Sequence, residues 1–224
     1  TDAYLAAWID RRGGTINPLS FARGLAAAAT QAGATVCAHT SASSLERGSD
    51  EWTVCTSGGT VRARQVFVAT AGYADDLVPG LRRSFVPVRT AQVASAPLPQ
   101  AQARAILPGR QGASDTRRLL TSFRLSPDQR LVMGGSGATG GRDHAGLLPR
   151  LKRAGAELFA HLGPIDWEFG WSGYFAVTMD HLPHLHETDD GLYCALGCNG
   201  RGIAISTALG KMVAERILGR NAAD

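Results

Sequence analysis

The stretch Gly197-Cys198-Asn199-Gly200-Arg201-Gly202 stands between a short apolar run and a long amphipathic one. Leu192-Tyr193-Cys194-Ala195-Leu196 ahead of it has the length and composition of a buried strand. Residues 203–218 behind it place Ile205, Leu209, Met212, Val213, Arg216 and Ile217 at helical spacing. Strand, glycine turn and helix in that order bring unpaired backbone N–H groups and the positive end of a helix dipole to one point. Such a point suits an anionic or electron-rich ligand edge. The glycines run G-x-x-G-x-G rather than in the dinucleotide order G-x-G-x-x-G. A plainer reading therefore stands beside the first: a tight turn whose glycines let the helix pack.

Upstream of this unit, residues 165–178 are strand-like and aromatic, with Trp167, Phe169, Trp171, Tyr174 and Phe175, until Asp180-His181-Leu182-Pro183 breaks the run. Residues 145–162 predict a helix with Leu147, Leu151, Ala154, Leu158 and Leu162 on one face. Residues 134–141 are glycine-rich without the Gly-Lys-Ser/Thr ending of a phosphate loop, and read as a mobile connection. Residues 119–125 and 130–134 flank Ser126-Pro127-Asp128-Gln129, which predicts a hairpin. Residues 84–95 predict a further strand, and 97–117 an exposed Pro/Gly/Gln-rich connection.

Near the start, Asn17-Pro18 opens a helix as N-cap and first helical residue, Phe21, Leu25, Ala28, Ala29 and Ala32 form its inner stripe, and Gly33 ends it. Residues 35–38 predict a strand, and 51–56 with 60–63 a hairpin around Ser57-Gly58-Gly59. Residues 65–70 predict a buried strand ending in the small-residue turn Ala71-Gly72-Tyr73. Helices and strands alternate at both ends while the middle is mostly strand. The expectation is an α+β chain, α/β at its ends, that leaves one layer to build a mainly antiparallel sheet and then returns.

With 224 residues, 44% hydrophobic, the chain is long enough for a sizeable core. Net charge is +4, but the basic residues are scattered arginines, with Lys152 and Lys211 the two lysines, so no stripe that tracks phosphates forms and nucleic acid is excluded as a partner. Cys37, Cys55, Cys194 and Cys198 lie in or beside apolar runs with no C-x-x-C pair, which predicts buried reduced thiols and a cytoplasmic compartment. No apolar run is long enough to cross a membrane. His184 and His186 share a strand face near Asp180 and His181, but a metal centre needs a further ligand in place, and no metal is expected.

Several segments, in order, resemble the FAD-dependent amine and amino-acid oxidoreductases of the D-amino-acid oxidase and glycine oxidase superfamily, the gamma-glutamylputrescine oxidoreductase branch most of all. They are Gly14-Thr15-Ile16-Asn17-Pro18-Leu19 with Gly24-Leu25-Ala26, residues 66–73 (VFVATAGY), Pro87-Val88-Arg89-Thr90, and Asp115-Thr116-Arg117 through Ser122-Phe123-Arg124-Leu125. The series continues with Asp128-Gln129-Arg130-Leu131, Trp171-Ser172-Gly173, Thr178-Met179-Asp180-His181-Leu182-Pro183 and the glycine turn itself. The resemblance implies a start of the substrate domain in residues 1–16, a partial FAD-binding domain in 17–80, the substrate domain in 81–178 and a strand–turn–helix return in 179–224.

It further implies that Gly197, Cys198, Asn199, Gly200, Arg201, Gly202 and Ile203 face the flavin, its reduced form carrying negative charge that a helix N-terminus stabilises. Ala69, Thr70, Ala71 and Gly72 would lie near the phosphates and ribityl chain, and the backbone of Thr40 through Ala42 beside the adenine. Arg124, Trp171, Tyr174 and Arg201 are candidates for binding an amine or amino-acid substrate, Arg201 and Arg124 through a carboxylate. Gly173 stands where some relatives carry a flavin-bonding cysteine, so FAD is expected to be non-covalent. Val132 stands near a lysine that promotes reaction with oxygen in some relatives.

Residues 1–60 supply neither a G-x-G-x-x-G turn nor the acidic residue that follows it, so about the first 40% of such an enzyme has no counterpart here. The chain is therefore expected to be a C-terminal portion that binds FAD weakly or not at all and is inactive alone, completed by an N-terminal half or acting in a homo-oligomer. A non-catalytic remnant that binds a partner chain is the alternative, and a metal-binding domain through His181, His184 and His186 a third reading.

Overall fold

The structure is a computed structural model that describes residues 3–117, 120–139, 144–188 and 190–219. The chain divides into two compact units, residues 1–21 with 88–173 and residues 22–87 with 174–224. Helix α1 (Pro18–Gln31) crosses the division. Ser20 N–H donates to Asn17 Oδ1 at 3.1 Å, which fixes the expected N-cap. At the other end Gly33 N–H donates to Thr30 O and Ala34 N–H to Ala29 O, the paired bonds of a Schellman ending around a left-handed Gly33. The caps are as read, but the apolar stripe is uncovered: no residue of α1 is buried.

In the second unit, β1 (Ala42–Arg47), β2 (Trp52–Thr56) and β3 (Gly59–Ala63) form an antiparallel meander, β2 and β3 being the expected hairpin. The strand expected at residues 35–38 is absent; that segment is an exposed turn and irregular chain with no neighbouring strand, and pairing begins at β1 instead. Cys37 is accordingly exposed, Cys55 and Cys198 are half-buried, and Cys194 alone is a core thiol; all four are free. β4 (Val66–Val68) runs into the turn at Ala71–Tyr73. Trp52, Val68, Leu81, Phe85, Leu192, Cys194 and Leu196 make this unit's core, and Trp52 Nε1 donates to Asp190 O at 2.9 Å.

In the first unit the principal strands are β5 (Val86–Pro97), whose first two residues belong to the second unit, β7 (Thr121–Leu125) and β8 (Arg130–Thr139). Between β5 and β7 lie α2 (Gln100–Ile106), with Ala103 buried, and the short β6 (Ala113–Ser114), so the segment expected to be an exposed connection is partly ordered against the core. The β7–β8 hairpin closes as expected, with Gln129 N–H donating to Ser126 O at 3.0 Å and Gln129 left-handed at φ 64°. The glycine run at 134–139 is not a loose connection: it continues β8. A Cβ on Gly134 would lie 2.8 Å from Ser122 Oγ, and one on Gly137 2.9 Å from Leu147 Cδ2. Small residues let the helix and the cross-strand neighbour close in. Gly140 and Gly141 lie outside the described residues.

Helix α3 (His144–Leu158) follows, and β9 (Trp167–Val177) completes the sheet order β6-β7-β8-β5-β9. Leu147, Leu151 and Phe159 cover one face of that sheet against Val93, Phe123, Leu131 and Met133. After β9, which crosses the division, β10 (His184–Glu187), β11 (Leu192–Leu196) and α4 (Gly202–Ile217) return to the second unit, in the sheet order β10-β11-β4. Mixed α and β structure with largely antiparallel sheets is thus the observed class.

Two helical glycines separate packing from propensity. A Cβ on Gly155 would meet the Trp167 ring at 2.7 and 2.8 Å, whereas nothing lies within 4 Å of one on Gly24. Gly24→Ala is expected to stabilise by about 0.5–1 kcal/mol. Gly155→Ala has the same propensity gain but an overpacking cost of about 1–3 kcal/mol, so it is expected to destabilise. Denaturant midpoints of the two variants, compared at equal slope, check the opposite signs.

Candidate active site

β4 and β11 are parallel neighbours, with Leu192 opposite Val66, Tyr193 opposite Phe67 and Cys194 opposite Val68. Parallel pairing puts their carboxyl ends at one end of the sheet, and each runs straight into a small-residue turn. Ala69–Gly72 follows β4 and Gly197–Gly202 follows β11. The crevice beyond strand carboxyl ends is where sheets of this kind take ligands. An apolar cavity of about 110 Å³ opens there, lined by Phe67, Ala69, Ala71, Cys198, Ile205 and Leu209 among others.

The glycine turn is held from behind. Asn199 is left-handed at φ 49°, its Oδ1 accepts the Thr178 N–H at 3.0 Å, and its Nδ2 donates to Thr178 Oγ1 at 3.2 Å and to Gly197 O at 2.5 Å. Thr178 is 2% exposed and donates its hydroxyl to Leu182 O at 2.7 Å. The Asn199 side chain is therefore spent on the end of β9, and the backbone is what the turn offers a ligand. Asn199 N–H donates to Ala176 O and Arg201 N–H to Cys198 O. The amides of Gly202, Ile203 and Ala204 begin α4 and have no acceptor among the described residues.

The glycines divide by role. A Cβ on Gly197 would strike Thr178 Cγ2 at 2.6 Å, and one on Gly72 would lie 2.9 Å from the Phe175 backbone. Those two glycines serve packing. Gly200 is left-handed at φ 81°, with the Phe175 ring 3.6 Å from a built Cβ, so conformation rather than space selects it. Ala71 is also left-handed, at φ 47°, and Tyr73 Oη accepts the Tyr174 N–H at 3.1 Å while the two rings meet edge to face at 5.8 Å. Thr40 is half-buried, donating to Ala38 O, and Ala42 opens β1.

A family model described as "DAO: FAD dependent oxidoreductase" matches residues 1–216. The chain belongs to the DAO family of FAD-dependent oxidoreductases. It is 28% identical over 223 residues to a probable oxidoreductase, OrdL, of Haemophilus influenzae, covering 98% of this chain and 51% of that one. It is 29% identical over 224 residues to the gamma-glutamylputrescine oxidoreductase of Escherichia coli, with the same coverage of 98% and 51%. The solved glycine oxidase of Geobacillus kaustophilus superposes with a TM-score of 0.74 at 28% identity, over 90% of this chain and 54% of that one. The chain thus spans about half the length of the curated relatives it matches.

The other candidates of this DAO chain fall in the first unit, apart from Tyr174 and Arg201 in the second. Arg124 lies on the sheet face away from α3, where Ser122, Gly134 and Gln92 are in register. Its Nη2 donates to Gln92 Oε1 at 3.2 Å, and burial pulls the guanidinium below its ordinary range. Gln92 was not legible as a site residue, because its place on the same face as Arg124, one pair along, depends on a three-strand register. Trp171 is 46% exposed, and Arg201 is exposed at the N-cap of α4. Val132 is buried on β8.

No group of three metal-ligating side chains occurs among the described residues. His184 instead pairs with Asp180, Nε2 lying 3.0 Å from both carboxylate oxygens. The Leu182 N–H foremost, and then His184, hold the Asp180 carboxyl down at about 2, against an ordinary 3.8. Stability drawn from that depression is present above the ordinary carboxylate range and is lost as pH falls through about 2. A carboxyl-carbon NMR titration should place the Asp180 midpoint near 2, and His184→Gln should raise it only in part, since the backbone bond remains. Asn199→Ala leaves the buried Thr178 amide without its acceptor, an expected loss of about 1–3 kcal/mol by equilibrium unfolding.

Proposed function

We propose that the chain supplies the flavin-facing turns and the substrate sheet of an enzyme that oxidises the C–N bond of an amine or amino acid. The observation that carries this is the pair of small-residue turns ending parallel neighbours β4 and β11 beside one apolar cavity, with the first amides of α4 unspent. Gly202, Ile203 and Ala204 present N–H groups, and the α4 dipole adds positive potential, where negative charge on a reduced ring needs stabilising. Ala69, Ala71 and Cys198 give a smooth apolar wall that admits a flat ring edge. FAD held there non-covalently would supply the acceptor for a hydride from the carbon that bears the nitrogen, leaving an imine for water to hydrolyse.

Within the first unit Arg124, held by Gln92, is assigned to a substrate carboxylate and Trp171 to a substrate wall; within the second unit Tyr174 and Arg201 are the candidates. No side chain need act as base when the amine arrives neutral. The relatives named as gamma-glutamylputrescine oxidoreductase and glycine oxidase support an amine or amino acid as substrate class. Oxygen is not assigned as acceptor, Val132 lacking the charge that would favour it. The cytoplasm is assigned as compartment from four free thiols.

The uncovered stripe of α1 (Leu19, Phe21 and Leu25) and the edge position of β4 favour completion by a polypeptide that carries a G-x-G-x-x-G turn. The chain alone is expected to lose FAD on dialysis; joined to such a polypeptide it is expected to retain a flavin spectrum that bleaches when an amine or amino acid is added without air. In the completed enzyme, Arg124→Ala should raise KM for a carboxylate-bearing substrate about 10- to 100-fold, the loss of about 1.5–3 kcal/mol for a charge-assisted bond. Flavin retained but reduced by no amine or amino acid would overturn the reading and leave the partner-binding remnant in its place.

A further inference from the structure

A second cavity of the same unit, about 610 Å³, lies at the other end of the β4–β11 pair. Arg64 and Gln65 enter β4, and Asp190 and Gly191 enter β11, whereas the flavin-facing turns follow the opposite ends of those strands. Five strand residues of about 3.3 Å each separate the two places. Three guanidinium groups line this cavity, from Arg47, Arg64 and Arg216. Arg47 ends β1, Arg64 lies between β3 and β4, and Arg216 is on α4; two of the three are braced. Arg47 lies over the Trp52 ring at 5.8 Å from its centroid, and Arg216 Nε donates to both oxygens of Glu187 at 3.1 and 3.3 Å.

Arg64 has no ion pair and no side-chain hydrogen bond among the described residues. Of the two carboxylates among the described lining residues, Glu187 is taken up by Arg216, and Asp190 accepts the Thr188 hydroxyl. The Tyr193 ring closes the floor; it is 4% exposed, and burial followed by the neighbouring Glu187 charge keeps its phenol protonated. Positive charge converging on a concave, polar wall, with one guanidinium uncommitted among the described residues, fits a compact anion that carries more than one charge. Planar five-donor forks suit oxyanions better than a halide.

We propose that this pocket is an anion site for a multiply charged oxyanion of the phosphate class, separate from the flavin-facing turns and independent of their assignment. Arg64 is the principal donor, Arg47 and Arg216 the flanking ones, and Asp190 limits affinity. The test is calorimetric titration of the full 224-residue chain with inorganic phosphate at constant ionic strength, with chloride as the control. Saturable phosphate binding is expected, weakened at least about tenfold in Arg64→Gln, which is about 1.4 kcal/mol.

Arg64 is exposed and makes no ion pair or side-chain hydrogen bond among the described residues, and Asp190→Asn, which removes a carboxylate and keeps the backbone acceptor for Trp52, is expected to tighten binding several-fold. Arg201→Gln, in the other turn, is expected to leave the phosphate affinity unchanged. No saturable binding, equal heats with chloride, or a loss in Arg201→Gln with none in Arg64→Gln would each overturn the assignment.

Discussion

The parallel pairing of β4 with β11 is the constraint from which the rest of the second unit follows. Val66–Val68 and Leu192–Leu196 are separated by well over a hundred residues, and their register brings Val68 opposite Cys194. Because the strands run the same way, whatever follows each must emerge at one end of the sheet, and whatever precedes each must meet at the other. Two turns of small residues therefore converge on one cavity, and the arginine-lined hollow forms at the opposite rim. An antiparallel pair would have mixed these ends. The apolar payment is made locally: Val68, Leu192, Cys194 and Leu196 are all core residues.

Within that frame the glycine turn has two layers with different duties. Its back, Gly197 and the Asn199 side chain, is committed to Thr178 and to the close approach of the β9 end. Its front is backbone, and the helix that follows leaves three amides without an intrahelical acceptor. Fixing the turn through a buried side-chain network keeps those amides oriented before any ligand arrives, which lowers the ordering cost of binding. Of the two readings open to the sequence, the packing turn holds for the back of the segment, and the ligand turn rests on the proposed function of its front.

Much of this was legible from local chemistry. Asn17-Pro18 and Gly33 marked the ends of α1, Pro127-Asp128 marked a hairpin, and the apolar run at 192–196 marked a buried strand, because each signal acts within a few residues. What failed was non-local. Residues 35–38 have strand propensity but no neighbour to pair with, so the strand starts at Ala42. The glycines at 134–137 look loose in sequence, yet they are a strand whose lack of side chains admits Leu147 and Ser122. Gln92 and the arginine hollow depend on register between distant strands, and no local pattern encodes that.

The exposure of α1 bears on how the chain is stabilised. A helix of 14 residues is marginal in water by itself, since its nucleation cost is recovered only slowly along its length. Helices of this size normally draw their stability from a buried face, and α1 has none among its described contacts. What it retains is an N-cap, worth about 0.5–2 kcal/mol, together with a Schellman ending and a run of alanines. Leu19 at 57% and Leu25 at 52% exposure present an apolar stripe whose burial would add about 25 cal/mol per Å² covered. With that stripe uncovered, local capping is what holds the helical conformation.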